Sequence, residues 1–240
     1  MSSPGARPRR GRPPAAERPP LDRDQIAHAA LRIAGQEGFT ALTMRRLAAE
    51  LKVTPRALYN CVRDRQEVVD LTARLMMERL PRHTFDPDDW RGTLRRVYRD
   101  TRNAYREAPR ATLISLDETV TPQELHPGRL LRSEELLAFL HTIGLDLQDA
   151  VAVRGRLLLD VFAFVLLVDY RYDRVDEPLR RQMQQPVPTP WLDAHPELDL
   201  PHSRAAADLP VLSSDEQFER FVDDALLVVE AKLRPPGERG

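Results

Sequence analysis

The stretch Thr43–Val62 (TMRRLAAELKVTPRALYNCV) constrains this chain most, because its apolar period stops in the middle and starts again. Met44, Leu47, Ala48 and Leu51 recur at helical spacing, the pattern breaks at Lys52, and Val53, Ala57, Leu58 and Cys61 resume it. Two short helices therefore meet at a tight turn. Thr54 carries an N-cap side chain and Pro55 stands at the first helical position, where its missing N–H is no loss, so the second helix, about Thr54–Val62, begins there. With Val53, Ala57, Leu58 and Cys61 facing inward, Thr54, Pro55, Arg56, Tyr59, Asn60 and Arg63 face out. That is a row of hydrogen-bond donors with one aromatic, suited to a major groove.

The flanks supply the rest of a small helical domain. Leu21-Asp22-Arg23-Asp24-Gln25-Ile26 is a helix start, with Asp22 as N-cap, Gln25 completing a capping box and Leu21 placed to staple onto Ile26. The stripe Ile26, Ala29, Ala30, Ile33 and Ala34 is closed by Gly38 as a left-handed terminator, and Phe39 and Leu42 fold back over it. A second box, Asp64-x-x-Glu67, opens a helix with Val68, Leu71, Leu75 and Met76 at helical spacing towards Leu80.

Charge separates this region from the rest of the chain. The formal net charge is −1, but residues 1–65 hold 13 Lys/Arg against 6 Asp/Glu, a net +7, which leaves −8 for residues 66–240. The first quarter is the candidate polyanion-binding module. Residues 1–20 have no apolar periodicity and are expected to be a disordered basic arm. Within it Arg9-Arg10-Gly11-Arg12 resembles an AT-hook core, which lies along a narrow A·T-rich minor groove; a generic basic tail adding phosphate affinity is the alternative. No apolar run reaches membrane-spanning length and the N-terminus is arginine-rich, so a cytoplasmic protein is expected. Cys61 is the sole cysteine, which excludes an intrachain disulfide and a cysteine-cluster metal site.

Residues 22–75 resemble the DNA-binding domain of the TetR family of bacterial transcriptional regulators. The residues that carry the likeness are Gly38-Phe39, Thr43-Met44-Arg45-Arg46-Leu47-Ala48, Val53-Thr54, Leu58-Tyr59 and Arg63-Asp64-Arg65. Lys52 departs from the family's usual glycine in the turn, at a cost of about 1 kcal/mol of strain. The resemblance implies that Arg45 reaches a base or phosphate, Arg56 and Asn60 read base edges, Tyr59 binds a phosphate and Arg65 clamps the backbone, with Thr43, Thr54, Pro55 and Arg63 on the same face. An arginine forks onto guanine and an asparagine onto adenine, whereas phosphate contacts add affinity without choosing a sequence.

The remainder reads as helices: about Asp89–Glu107 capped by Asp88, a short one around Ala111–Leu116, about Arg129–Ile143 closed by Gly144, Leu147–Tyr170, and about Asp215–Leu233. The fold class is thus all-α, with a three-helix DNA-binding domain (21–66), a linking helix (65–80) and a helical ligand-binding and dimerisation domain (81–240). Leu157–Val168 is apolar nearly all round and needs cover on every side, and the last helix carries a broad stripe of Phe218, Phe221, Val222, Leu226, Val229 and Leu233. Helices 147–170 and 215–233 are therefore expected to form a four-helix bundle between two identical subunits. A small, mostly apolar effector is expected among the helices, near Leu75, Val97, Thr101, Tyr105 and Phe164.

The C-terminal half is similar to the tetracycline-repressor type in helix count and order, but lacks that type's histidine in the short helix near Ala111–Leu116, which disfavours a tetracycline–magnesium effector. His83, in a proline-flanked turn, is expected to be exposed. Arg171–Pro210, rich in Pro, Asp and Arg, reads as a long loop, and its Asp193, His195, Glu197, Asp199 and His202 are expected to be solvated rather than metal-binding. No cofactor is expected, and no nucleophile or phosphate-loop motif suggests an enzyme. The leading expectation is a ligand-released homodimeric repressor on a palindromic operator in double-stranded DNA; a constitutive or architectural DNA-binding protein is the alternative.

Overall fold

The computed structural model describes residues 21–118 and 127–233, so Arg9, Arg10 and Arg12 lie outside it. All regular structure among the described residues is helical, as the sequence predicts. Helix α1 (Arg23–Glu37) begins at the expected capping box: the Gln25 amide donates to Asp22 Oδ1 at 2.7 Å and the Asp22 amide to Gln25 Oε1 at 3.4 Å. It ends at Gly38, whose φ of 88° and ψ of 166° differ from the left-handed helical values expected and fall in a region essentially closed to side chains. Phe39 and Leu42 then cover Ile26, Ala29, Ala30 and Ile33, all fully buried.

Helix α2 (Met44–Leu51) is capped by Thr43, and α3 (Pro55–Tyr59) by Thr54. The latter is shorter than the expected Thr54–Val62, because Asn60 and Cys61 turn out of the helix so that Val62 can enter the core. Lys52 lies between them at φ 56° and ψ 42°, the left-handed conformation that a glycine would adopt without strain. Helix α4 (Arg65–Arg79) starts from Asp64 and packs Val68 and Val69 into the same core, while Met76 further along touches this core and a second one. It is the mechanical link between the two.

The second core is built by α5 (Trp90–Arg106), α7 (Pro127–Thr142), α8 (Leu147–Phe164) and α13 (Ser214–Lys232), around Leu94, Val97, Leu140, Leu157, Val161 and Phe218. The cap of α5 is Asp89 rather than Asp88, since Asp89 Oδ1 accepts from the Gly92 amide at 3.0 Å. A 3₁₀ turn (Pro109–Leu113) and α6 (Ile114–Asp117) lead back to the first core, where Ala111 is buried. A Cβ placed on Gly35 of α1 would stand 2.8 Å from Ala108 Cβ, so the missing side chain lets the residue ahead of the 3₁₀ turn pack closely on α1.

Helix α8 runs through a π-helical stretch (Val165–Asp169) into α9 (Tyr170–Tyr172). The widened turn places Asp169, fully buried, against Arg102 of α5: Arg102 Nε and Nη2 donate to the two Asp169 oxygens at 2.8 and 2.6 Å. Arg102 also reaches Ser214 Oγ at 3.2 Å and Asp215 at 2.8 Å, and its guanidinium stacks over Phe164 and Phe218.

The expected long loop at 171–210 is a correction. It folds as α10 (Glu177–Gln184), α11 (Thr189–Asp193) and α12 (Pro201–Ala207), with Pro178, Pro190 and Pro201 at first or second helical positions, where proline initiates rather than breaks a helix. Among the described residues no cluster is suited to a metal ion, and no helix is long and apolar enough to cross a membrane.

Candidate DNA-binding face and ligand cavity

Two surfaces combine exposure with unspent hydrogen-bonding capacity. The first is the outer side of α2 and α3. Thr43 accepts from the Arg46 amide at 3.1 Å and Thr54 from the Ala57 amide at 3.3 Å, which leaves each hydroxyl proton free to donate. Both threonines, Arg45, Pro55, Arg56, Tyr59, Asn60 and Arg63 are exposed, whereas Leu47, Ala48 and Leu58 beneath them are buried. Arg45 and its neighbour Arg46 have opposite fates. Arg46 bonds Glu37 at 2.9 Å and Glu50 at 3.0 Å, an arrangement that raises its pKa and lowers that of Glu50, while Arg45 points outward without a partner among the described residues. Arg63 gives its backbone N–H to Glu67 at 2.7 Å and its Nε to the same carboxylate at 3.3 Å, with most of the guanidinium in solvent.

Arg65 departs from its expected role as a DNA backbone clamp. Its Nε donates to the Leu42 carbonyl at 2.6 Å, Nη2 to the Phe39 carbonyl at 2.8 Å, and Nη1 and Nη2 to Glu118 at 2.9 and 2.5 Å. The guanidinium therefore stitches the start of α4 to the α1–α2 connection and to the end of α6, and the carboxylate holds its pKa above the ordinary arginine value. Arg65→Lys keeps the charge but cannot reach two carbonyls and a carboxylate together. It should lower the urea-unfolding free energy by about 1–3 kcal/mol, while the slope of log binding constant against log salt on duplex DNA stays unchanged. A reduced salt slope at unchanged stability would restore the phosphate-clamp role.

The second surface is a cavity of about 210 Å³ enclosed by α4, α5, α7 and α8 and the turn after α4. Val97, Thr101 and Tyr105 line it as expected. Leu75 and Phe164 do not: Leu75 packs on the first core, and Phe164 meets Phe218 edge-on, 5.0 Å between ring centroids. Phe162 takes the place on the cavity wall that the sequence assigns to Phe164, edge-on to Tyr105 at 4.8 Å.

His83 is a further correction. Its side chain is 16% exposed, faces the cavity and stands 3.5 Å from Asp100. Burial pushes its pKa down, Asp100 and Glu135 pull it up, and Arg132 and Arg96 oppose them. The folded protein thus holds His83 less basic than the unfolded chain, so stability should decline as pH falls below the unfolded value of about 6.5 and be unaffected above it. Thermal denaturation of wild type and His83→Gln between pH 5 and 8 measures this: the variant should lose part of the acid-side slope, and identical slopes would contradict the assignment.

Among the described residues the structure is all helical, with a short capped helix presented on the N-terminal domain in a helix-turn-helix arrangement and a cavity behind it. Residues 26–70 match the model of the bacterial regulatory proteins of the tetR family. It is 32% identical over 153 residues to the HTH-type transcriptional repressor DrrR1 of Streptomyces coeruleorubidus, covering 62% of this chain and 52% of that protein. The chain thus spans about half the length of that curated relative. The crystal structure of the TetR family protein ActR of Streptomyces coelicolor in complex with actinorhodin superposes with a TM-score of 0.67 at 26% identity, covering 89% of this chain and 98% of ActR. TetR from Acinetobacter baumannii AYE shares the fold, with a TM-score of 0.58 at 21% identity and 88% and 97% of the two chains covered.

Proposed function

We propose that this protein is a cytoplasmic homodimeric transcriptional repressor, a regulator rather than an enzyme, whose α3 helices read the two halves of a palindromic operator and which a small molecule in the cavity releases from DNA. The observation that carries the reading is the unpaired outer face of α3, where Thr54, Pro55, Arg56, Tyr59 and Asn60 are all exposed on a segment that a tetR-family model matches. In this reading residues 21–66 are the DNA-binding domain, α4 links it onward, and residues from 81 form the ligand-binding and dimerisation domain. The basic arm would add minor-groove or phosphate contacts through Arg9, Arg10 and Arg12.

The dimer is supported by α8. Leu147, Val151, Gly155, Leu159, Ala163 and Leu167 recur every four residues on one side; Leu147, Leu159 and Leu167 are 65%, 70% and 69% exposed, and a Cβ on Gly155 would meet open space. Such an i, i+4 ridge with a small residue at its centre is suited to crossing its own copy. Most of the expected α13 stripe is used within its own subunit, as Phe218, Val222, Leu226 and Val229 are buried, and Leu227 remains for the partner.

Effector control is supported by the cavity and by the ligand-bound state of ActR. Thr112 and Ile114 line the cavity at the start of the segment that ends in Glu118, the partner of Arg65. A ligand that displaces this segment acts on the DNA-binding domain through its different affinity for the two arrangements. The test is operator binding by Arg56→Ala. It should cost about 1–3 kcal/mol on the selected operator and much less on random duplex. Equal losses on both would remove Arg56 from base recognition.

A further inference from the structure

The cavity combines apolar walls with an excess of cationic side chains. Met76, Leu80, Phe85, Val97, Leu157 and Phe162 are among its apolar lining. Arg129 and Arg132, three residues apart on α7, and Arg154 on α8 line it as well, against a single carboxylate, Glu135, also on α7. Arg132 gives one donor to the Met77 carbonyl. Arg154 is half-buried, and neither it nor Arg129 has an ion-pair partner among the described residues. His83, the remaining titratable ring, is held towards its neutral form by burial. The Tyr105 hydroxyl lies in the field of Arg129 and Arg132 and makes no hydrogen bond among the described residues.

Half-buried beside the apolar walls, Arg132 and Arg154 give up hydration that an anion could replace, while Arg129 stands exposed at the cavity's edge, and each guanidinium presents a fork matched to a carboxylate. At about 210 Å³ the space is smaller than the roughly 300–1,000 Å³ of drug-sized sites, which limits the ligand to a compact body. We propose that the cavity of this protein is a receptor for a compact organic acid, an apolar body of one or two rings or a short chain carrying one carboxylate, with the carboxylate held by Arg154 and Arg129 and accepting from Tyr105. The inference rests on the reading that the cavity receives the effector. It replaces the mostly apolar effector expected from sequence by an amphipathic anion.

The experiment uses the full chain and isothermal titration with 2-naphthoate, its uncharged isostere 2-naphthamide, and octanoate, at two salt concentrations. Naphthoate should bind at least tenfold more tightly than naphthamide. Arg154→Gln should remove most of that difference while leaving naphthamide within threefold of wild type, and Arg154→Lys should restore part of it. Arg129→Gln, at an exposed position, provides the same test should the Arg154 variant fold poorly. Tighter octanoate than naphthoate binding would assign the body to a chain, and the reverse to rings; either keeps the acid. Naphthamide binding as well as naphthoate would overturn the anion assignment and leave an effector cavity in place. No binding of any of the three would overturn the effector reading and this inference together.

Discussion

Asp169→Ala should lower the unfolding free energy by about 3–5 kcal/mol in urea denaturation, a large part of the roughly 5–15 kcal/mol that a domain possesses. The reason is asymmetric. Asp169 is fully buried and Arg102 is 4% exposed, so removing the acid leaves a guanidinium desolvated among Phe164 and Phe218, with only Ser214 and the exposed Asp215 to answer it. The double variant Arg102→Met/Asp169→Leu removes both charges and should recover most of the loss, because a buried ion pair and a packed apolar pair of similar volume are often close in stability. A single variant losing less than about 1 kcal/mol would mean that water or Asp215 already screens the pair. Since the pair ties the π-helical end of α8 to α5, the same substitution should loosen the wall of the cavity without touching its lining.

The second large effect concerns assembly. Leu159→Glu/Leu167→Glu places one carboxylate on the exposed ridge of α8 and one on the π-helical stretch that continues it. In a monomer these positions are solvated and the change should move stability by no more than about 0.5 kcal/mol. In a dimer through α8 the two carboxylates are forced into the apolar face of the partner, and the subunits should separate at micromolar concentration by analytical ultracentrifugation. Operator affinity should fall by more than a hundredfold, because a half-operator must then hold one subunit alone. A variant that sediments and binds like wild type would move the interface elsewhere.

What the sequence made legible was carried by local signals. The Asp22–Gln25 box, the Thr54-Pro55 start of α3 and the Gly144 stop after α7, at φ 112°, each depend on residues within one helical turn, and each is realised. Arg65 was not legible, since what consumes its donors includes a carboxylate 53 residues away. The two arginines at 45 and 46 look alike in sequence, and only the facing of α2 towards Glu37 and Glu50 separates the structural one from the free one. In 171–210 the signal was present but pointed both ways: proline breaks a helix in its interior and begins one at its first positions. Asp176, accepting from the Leu179 amide at 3.2 Å just ahead of Pro178, was the residue that could have decided it. The cavity depends on side chains from four helices, so alternation along any one of them places Val97, Thr101 and Tyr105 but not Phe162 or Arg154.

If the proposed reading holds, two copies of α3 sit in successive major grooves. Genomic fragments retained by the purified protein at low salt, with hydroxyl-radical footprinting of the tightest, test it directly. An inverted repeat protected with two-fold symmetry, half-site centres about 34–36 Å apart, and loss of that pattern with Arg56→Ala are the expected results. Protection without symmetry, or no fragment enriched over random duplex, would contradict it.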